Sequence, residues 1–194
     1  SSASAGIQLG ATNSDLFAGI GAGIELTGLS TLGLASGGDV ELVSAAMQAP
    51  LNGGAVTQAY LTYATGNTSI KVGRQTLPKA LSPFAFSESW NVFKNTYEAA
   101  LVVNTDIANT TLVGAYVSGA NGWFDMSDFL DINGDDGVWM LTAQNKSIDN
   151  VTLTGTWYYA ADAGLNDDLN ILWGDAKTSI AGLNVALQGG TITG

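Results

Sequence analysis

The sequence predicts an all-β fold, an antiparallel transmembrane β-barrel, on three observations. Segments of about ten residues, the length of a tilted membrane strand, alternate apolar and polar side chains. Tryptophan and tyrosine (Tyr60, Tyr63, Trp139, Trp157, Tyr158, Tyr159, Trp173) gather near segment ends, as an interfacial girdle requires. Connections also run alternately short and long, as in barrels with tight turns on one side and loops on the other. A soluble β-sandwich alternates too. Its water-facing positions usually carry Lys and Glu, whereas the polar positions here are mostly Gly, Thr, Asn and Gln.

Composition narrows the function classes. Only 12% of the 194 residues are charged, about half the usual fraction, and mean hydropathy is +0.20. The most apolar window, 16–35, holds Glu25 and five glycines, so no helix of about 20 apolar residues explains the low charge. The net charge of −11 leaves no basic stripe for nucleic acid. Cysteine and histidine are both missing, which removes thiol chemistry, disulfides and the commonest general base and metal ligand. Adjacent acids such as Asp135/Asp136 and Asp167/Asp168 suggest no glycosidase cleft, so no enzyme is expected.

Taken in order, 5–11 alternates Ala5, Ile7, Leu9 and Ala11 against Gly6, Gln8 and Gly10. The stretch 16–26 sets Leu16, Ala18, Ile20, Ala22, Ile24 and Leu26 against Gly19, Gly21, Gly23 and Glu25. A hairpin over 29–36 and 40–48 continues the pattern. Strands follow at 67–75, 98–105, 109–118 and, more weakly, 137–144. In 151–159 Val151, Leu153, Gly155, Trp157 and Tyr159 form the apolar face. Leu169, Ile171 and Trp173 do so next, then Leu183, Val185 and Leu187, with a short turn at 175–177. The total is eleven or twelve strands in one domain, 1–194. With an ending Ile192-Thr193-Gly194, the chain reads as part of a longer barrel.

Two long connections stand out, 76–97 and the acidic 119–136. The first is rich in aromatic residues (Phe84, Phe86, Trp90, Phe93, Tyr97), which are expected to pack it against the barrel wall. Four of the chain's six basic residues, Lys71, Arg74, Lys79 and Lys94, fall on it or beside it. With Glu88 and Glu98 as partners they are the candidate pore constriction, since opposed charges in a narrow lumen set up a field that orients and filters polar solutes. Lys71 lies opposite Ile70 and Val72 and therefore in the lumen; Arg74 has the other parity. In 125–137, Asp128, Asp131, Asn133, Asp135 and Asp136 are candidate ligands of a loose Ca²⁺ site, though Asp136 displaces the glycine of an EF-hand and Thr142 stands where its last Glu belongs.

The run Lys71-Val-Gly-Arg-Gln-Thr-Leu-Pro-Lys-Ala-Leu-Ser-Pro-Phe84, continued through 98–118, resembles the major outer membrane porins of Campylobacter-related bacteria and, more distantly, OprD-type porins. That resemblance implies a 16–18-stranded barrel, trimeric, whose loop over 76–97 folds inward to narrow the lumen. It also implies a Gram-negative outer membrane, contact with lipid and lipopolysaccharide, and passive diffusion of small hydrophilic solutes without a required cofactor. Glu88-Ser-Trp-Asn91 stands where the OprD-type pattern carries arginine. The competing class is an extracellular surface-layer or adhesive β-protein whose acidic loops bind Ca²⁺.

Overall fold

The computed structural model describes residues 5–30, 53–88, 93–121, 126–163 and 167–194. The expected hairpin over 29–48 falls largely outside them. The strands are β1 (Ala5–Phe17), β2 (Ile20–Ser30), β3 (Gly53–Thr65), β4 (Thr68–Gln75), β5 (Tyr97–Asn104) and β6 (Thr110–Asn121). After them come β7 (Phe129–Asp131), β8 (Val138–Asn145), β9 (Val151–Ala160), β10 (Leu169–Ile180) and β11 (Leu183–Thr193). All belong to one antiparallel sheet in chain order, with the short β7 pairing the far end of β6 beyond β8. The inner strands thus find backbone partners on both sides, which is what a membrane demands. Among the described residues β1 and β11 each pair on one side only.

Because successive strands are antiparallel, the tight turns share one end of the sheet and the long connections share the other. Two of those turns were missed by the periodicity. Ala18-Gly19 joins β1 to β2 inside the stretch read as one strand, and Ala181-Gly182 joins β10 to β11, leaving 175–177 in mid-strand. Both pairs have positive φ, 51° and 81° in the first and 50° and 82° in the second, as a two-residue primed turn requires. Asn or Asp would usually mark the first position. Alanine between apolar flanks carries no polar signal and reads as strand.

The β5–β6 and β8–β9 turns are copies of one design. Asn104 Oδ1 accepts from the amide of Asp106 (3.1 Å), and Asn145 Oδ1 from that of Ser147 (3.0 Å). In each the carbonyl of an isoleucine, Ile107 or Ile148, accepts from the residue three further on. An asparagine in left-handed conformation, Asn109 or Asn150, closes the turn. The Asn104 and Asn67 amides both donate to the Asp106 carboxylate and hold it below the usual carboxylate range.

Cross-strand partners share a face, so the register sorts the side chains into two sets. One face carries Leu61, Val72, Val102, Trp139, Leu141, Trp157, Leu172 and Leu187; Leu61, Trp139, Leu141 and Leu172 are each 54–58% exposed. A water-soluble sheet would not leave such a band bare. The other face carries Gly21, Gly23, Glu25, Gln58, Thr62, Lys71, Thr142, Thr154, Thr156, Asp175 and Gln188. Strand β10 reverses the expected assignment. Its Ile171 and Trp173 point to the polar face, where the 76–96 connection covers them, and Leu172 takes the bare face.

The two faces differ in polarity, and arginine substitutions separate them. Leu141→Arg, mid-strand on the apolar face, should cost about 2–4 kcal/mol of unfolding free energy in vesicles, and Gln188→Arg on the polar face about 0.5 kcal/mol or less. Denaturant titration of the two variants in lipid checks this.

Candidate functional site

The connection between β4 and β5 does not project from the sheet; it lies across the polar face. It leaves β4 at Gln75, fully buried, whose amide donates to the carbonyls of Ala99 (3.0 Å) and Lys71 (3.3 Å). Leu77 then inserts among Tyr97, Ala99 and Val117, a burial worth about 1.5–3 kcal/mol. Pro78, which has no amide of its own to satisfy, starts a tight turn whose carbonyl accepts from Leu81 and Ser82. Leu81 packs on the Val113, Ala115, Met140 and Tyr158 cluster, and its carbonyl accepts from the Thr142 hydroxyl at 2.8 Å.

Farther along, Phe84 makes edge contacts with Tyr158 (5.5 Å between centroids) and Trp173 (5.1 Å), reaching β9 and β10. The segment turns back through Leu77 and Ser87, which exchange two hydrogen bonds of 2.9 and 3.1 Å. Asn95 ties Glu88 to Phe86, accepting from the Glu88 amide at 2.7 Å. Phe93 packs against Leu29 of β2 and Ala55 of β3. The anchors therefore run from β2 to β10. As expected, most of the aromatic side chains pin the loop to the wall; Trp90 lies outside the described residues.

The six expected constriction residues divide between the two faces. Lys71 is half-buried on the loop-bearing face, its Nζ 3.6 Å from the centre of the Tyr60 ring. Lys79, exposed on the loop, stands 4.3 Å over Phe86; Glu88 and Lys94 are also on the loop. Arg74 and Glu98 oppose each other across β4 and β5 on the bare apolar face. They form an ion pair of 2.7 Å, with Val56 O accepting from Arg74 at 2.9 Å and the Phe129 ring 3.4 Å from the guanidinium. Arg74 lies three positions after Lys71, an odd spacing, so period 2 puts them on opposite sides.

Sequence reasoning missed several charged and polar groups on the polar face. Glu25 accepts from Thr57 at 2.8 Å, and Thr57 in turn bonds the Thr27 hydroxyl at 2.8 Å. Asp175 pairs with Lys177 at 3.1 Å, its side chain only 8% exposed. Misplacing the β10 turn hid this pair. Tyr158 was read as an interfacial ring; its hydroxyl in fact reaches Ser82 and accepts from the Phe84 amide at 3.2 Å.

In the acidic stretch, Asn133 takes a left-handed conformation and donates to the carbonyls of Gly137 (3.2 Å) and Ala161 (2.7 Å). Asp131 lies on β7, Asp128 just before it, and Asp135 and Asp136 on the short 3₁₀ turn Gly134–Asp136. Among the described residues no three acidic side chains gather around one point that could hold a metal ion.

The Tyr158 hydroxyl is the polar clamp between loop and wall. Tyr158→Phe leaves the Phe84 amide without its acceptor, a loss of about 1–3 kcal/mol. Amides of 82–86 should then exchange with solvent at least about tenfold faster by mass spectrometry, while those of β9 stay unchanged.

No family model and no curated protein matches the chain. Solved structures do. Pseudomonas aeruginosa OccD3 (OpdP) superposes over 97% of this chain and 44% of its own with a TM-score of 0.74 at 15% identity. P. aeruginosa OccK9 (OpdG) gives 0.70 at 17%, over 98% and 52%. Acinetobacter baumannii OccAB2 gives 0.68 at 13%, over 95% and 49%. The chain thus spans about half the length of these structures, and its fold is the antiparallel barrel wall of the OprD/Occ porins.

Proposed function

We propose that the chain supplies much of the wall of an outer-membrane diffusion channel, through which small hydrophilic solutes and ions pass without chemical turnover. The observation that carries this reading is the loop over 76–96, anchored from β2–β3 to β9–β10 across the polar face of a barrel wall. In this proposal the strap narrows the lumen. The apolar face then meets lipid, and the tight turns lie at the periplasmic end. Localisation in a Gram-negative outer membrane, contact with lipopolysaccharide and assembly as a homotrimer belong to the same proposal. So does the closer relation to the porins of Campylobacter-related bacteria, which rests on residues 67–118 alone. The surface-layer reading gains no support from the fold.

Conduction in this channel depends on lumen width, the hydroxyl and amide lining, and a few fixed charges. The constriction proposed here is Lys71, Lys79, Glu88 and Lys94, with Glu25 and the Asp175–Lys177 pair lining the wall. Arg74 and Glu98, on the other face and neutralised by each other, contribute little to the field inside.

Reversal potentials in a salt gradient, measured on channels extracted from membranes in detergent, test the assignment. The unaltered channel should prefer cations, in line with its acidic excess. Lys71→Glu, a change of two unit charges, should raise that preference about thirtyfold, each unit charge contributing about 1 kcal/mol at 4 Å in water. Arg74→Gln should leave it unchanged. Anion preference in the unaltered channel, or equal shifts in both variants, would reject the proposal.

A further inference from the structure

Tyr60 lies between two glycines. Gly23 of β2 and Gly73 of β4 are its cross-strand partners on the polar face. A side chain at Gly23 would overlap the outer half of the ring, at Cζ, Cε2 and the hydroxyl. Gly73, at φ 120°, leaves only 3.0 Å between the place of a Cβ and the Tyr60 Cα. The ring is therefore laid over the β2 backbone in a space that only glycine leaves open. Gly23 is the floor of this cradle, while Gly21 beside it makes room for Thr62.

The ring face that remains open is occupied by Lys71. Its ammonium lies 3.6 Å from the ring centre, well inside the range of about 6 Å over which a ring face attracts a cation. Lys71 pairs with Thr62, two residues from Tyr60, so the contact is the diagonal one that long side chains make. Among the described residues Lys71 has no carboxylate at ion-pairing distance, whereas the other basic side chains of the wall strands, Arg74 and Lys177, each have one. A lysine paired with an acid presents a dipole to a passing ion; one held on a ring presents its whole charge. Left alone, its flexible stem would spread that charge over many rotamers.

We infer that Tyr60 is the positioning residue of Lys71: it fixes an unneutralised positive charge at one place in the lumen and thereby sets ion selectivity. This rests on the channel reading above and adds a residue to it. Tyr60 touches no permeating ion in this role; it acts through the lysine.

A substitution series at Tyr60, read as the cation/anion permeability ratio of the detergent-extracted channel, tests it. Lys71→Gln defines the full effect of losing the charge. Tyr60→Phe keeps the ring and should match the unaltered channel. Tyr60→Leu should move the ratio toward that of Lys71→Gln, by about two- to fivefold. So should replacement of Tyr60 by trifluorophenylalanine, whose ring is nearly the same size but lacks the negative face. Because that ring still fills the glycine cradle, a folding defect cannot imitate the result. Equal ratios for phenylalanine and its fluorinated analogue overturn the inference and leave the channel standing. No shift in Lys71→Gln removes Lys71 from the constriction and the inference with it. No conductance from the unaltered protein overturns the channel reading itself.

Discussion

Strand parity governs this molecule. In an antiparallel ladder each step of one residue changes the side on which a group lies, and here one side is apolar and the other polar. In the proposed channel leucine, valine and tryptophan stand bare on the face that lipid covers, and threonine, glutamine and glycine fill the face that water wets. The same rule separates Lys71 from Arg74. Placed on the apolar face, Arg74 needs the Glu98 carboxylate, the Val56 carbonyl and the Phe129 ring around it, since an unaccompanied charge there is costly. Lys71 faces a wetter space and makes do with one aromatic ring.

The loop depends on that division. It can lie flat only because the face beneath it offers both greasy and hydroxyl partners: Val113, Val117 and Met140 take Leu77 and Leu81, while Thr142 and Tyr158 satisfy its backbone. Neither kind would suffice alone. Apolar packing without the hydroxyls would strand buried polar backbone; hydroxyls without the clusters would leave the loop no reason to exclude water. A cavity of about 220 Å³ persists under the strap, lined by Phe84, Tyr97, Val117, Ile132, Tyr158 and Ile171, so the loop is fastened at separate points rather than fused to the wall.

Much of this was legible in the residues. The alternation and the connection lengths foretold an antiparallel barrel, and the aromatic run after Gln75 foretold a loop held to the wall. Three things escaped. The Ala-Gly turns at 18–19 and 181–182 lack the polar residues that announce a hairpin. The run Leu169, Ile171, Trp173 is apolar because the loop buries it, not because lipid does, and period alone cannot tell one apolar environment from another. The glycines at 21 and 23 looked like filler on a strand; their purpose depends on Thr62 and Tyr60, some forty residues away, and shows only in three dimensions. The Arg74–Glu98 pair was half legible: its parity and its acid were plain, but the Val56 carbonyl and the Phe129 ring were not.

The central claim, that the 76–96 segment lies inside the conducting path, can be put to one direct measurement. The chain contains no cysteine, so Lys79→Cys introduces a single reactive thiol on the exposed part of the strap. Current through open channels is recorded while a bulky, membrane-impermeant thiol reagent is added. Stepwise loss of most of the conductance, absent from the unaltered channel, is the result expected if the strap narrows the lumen. Complete labelling with undiminished current would place the segment outside the pore and contradict the account.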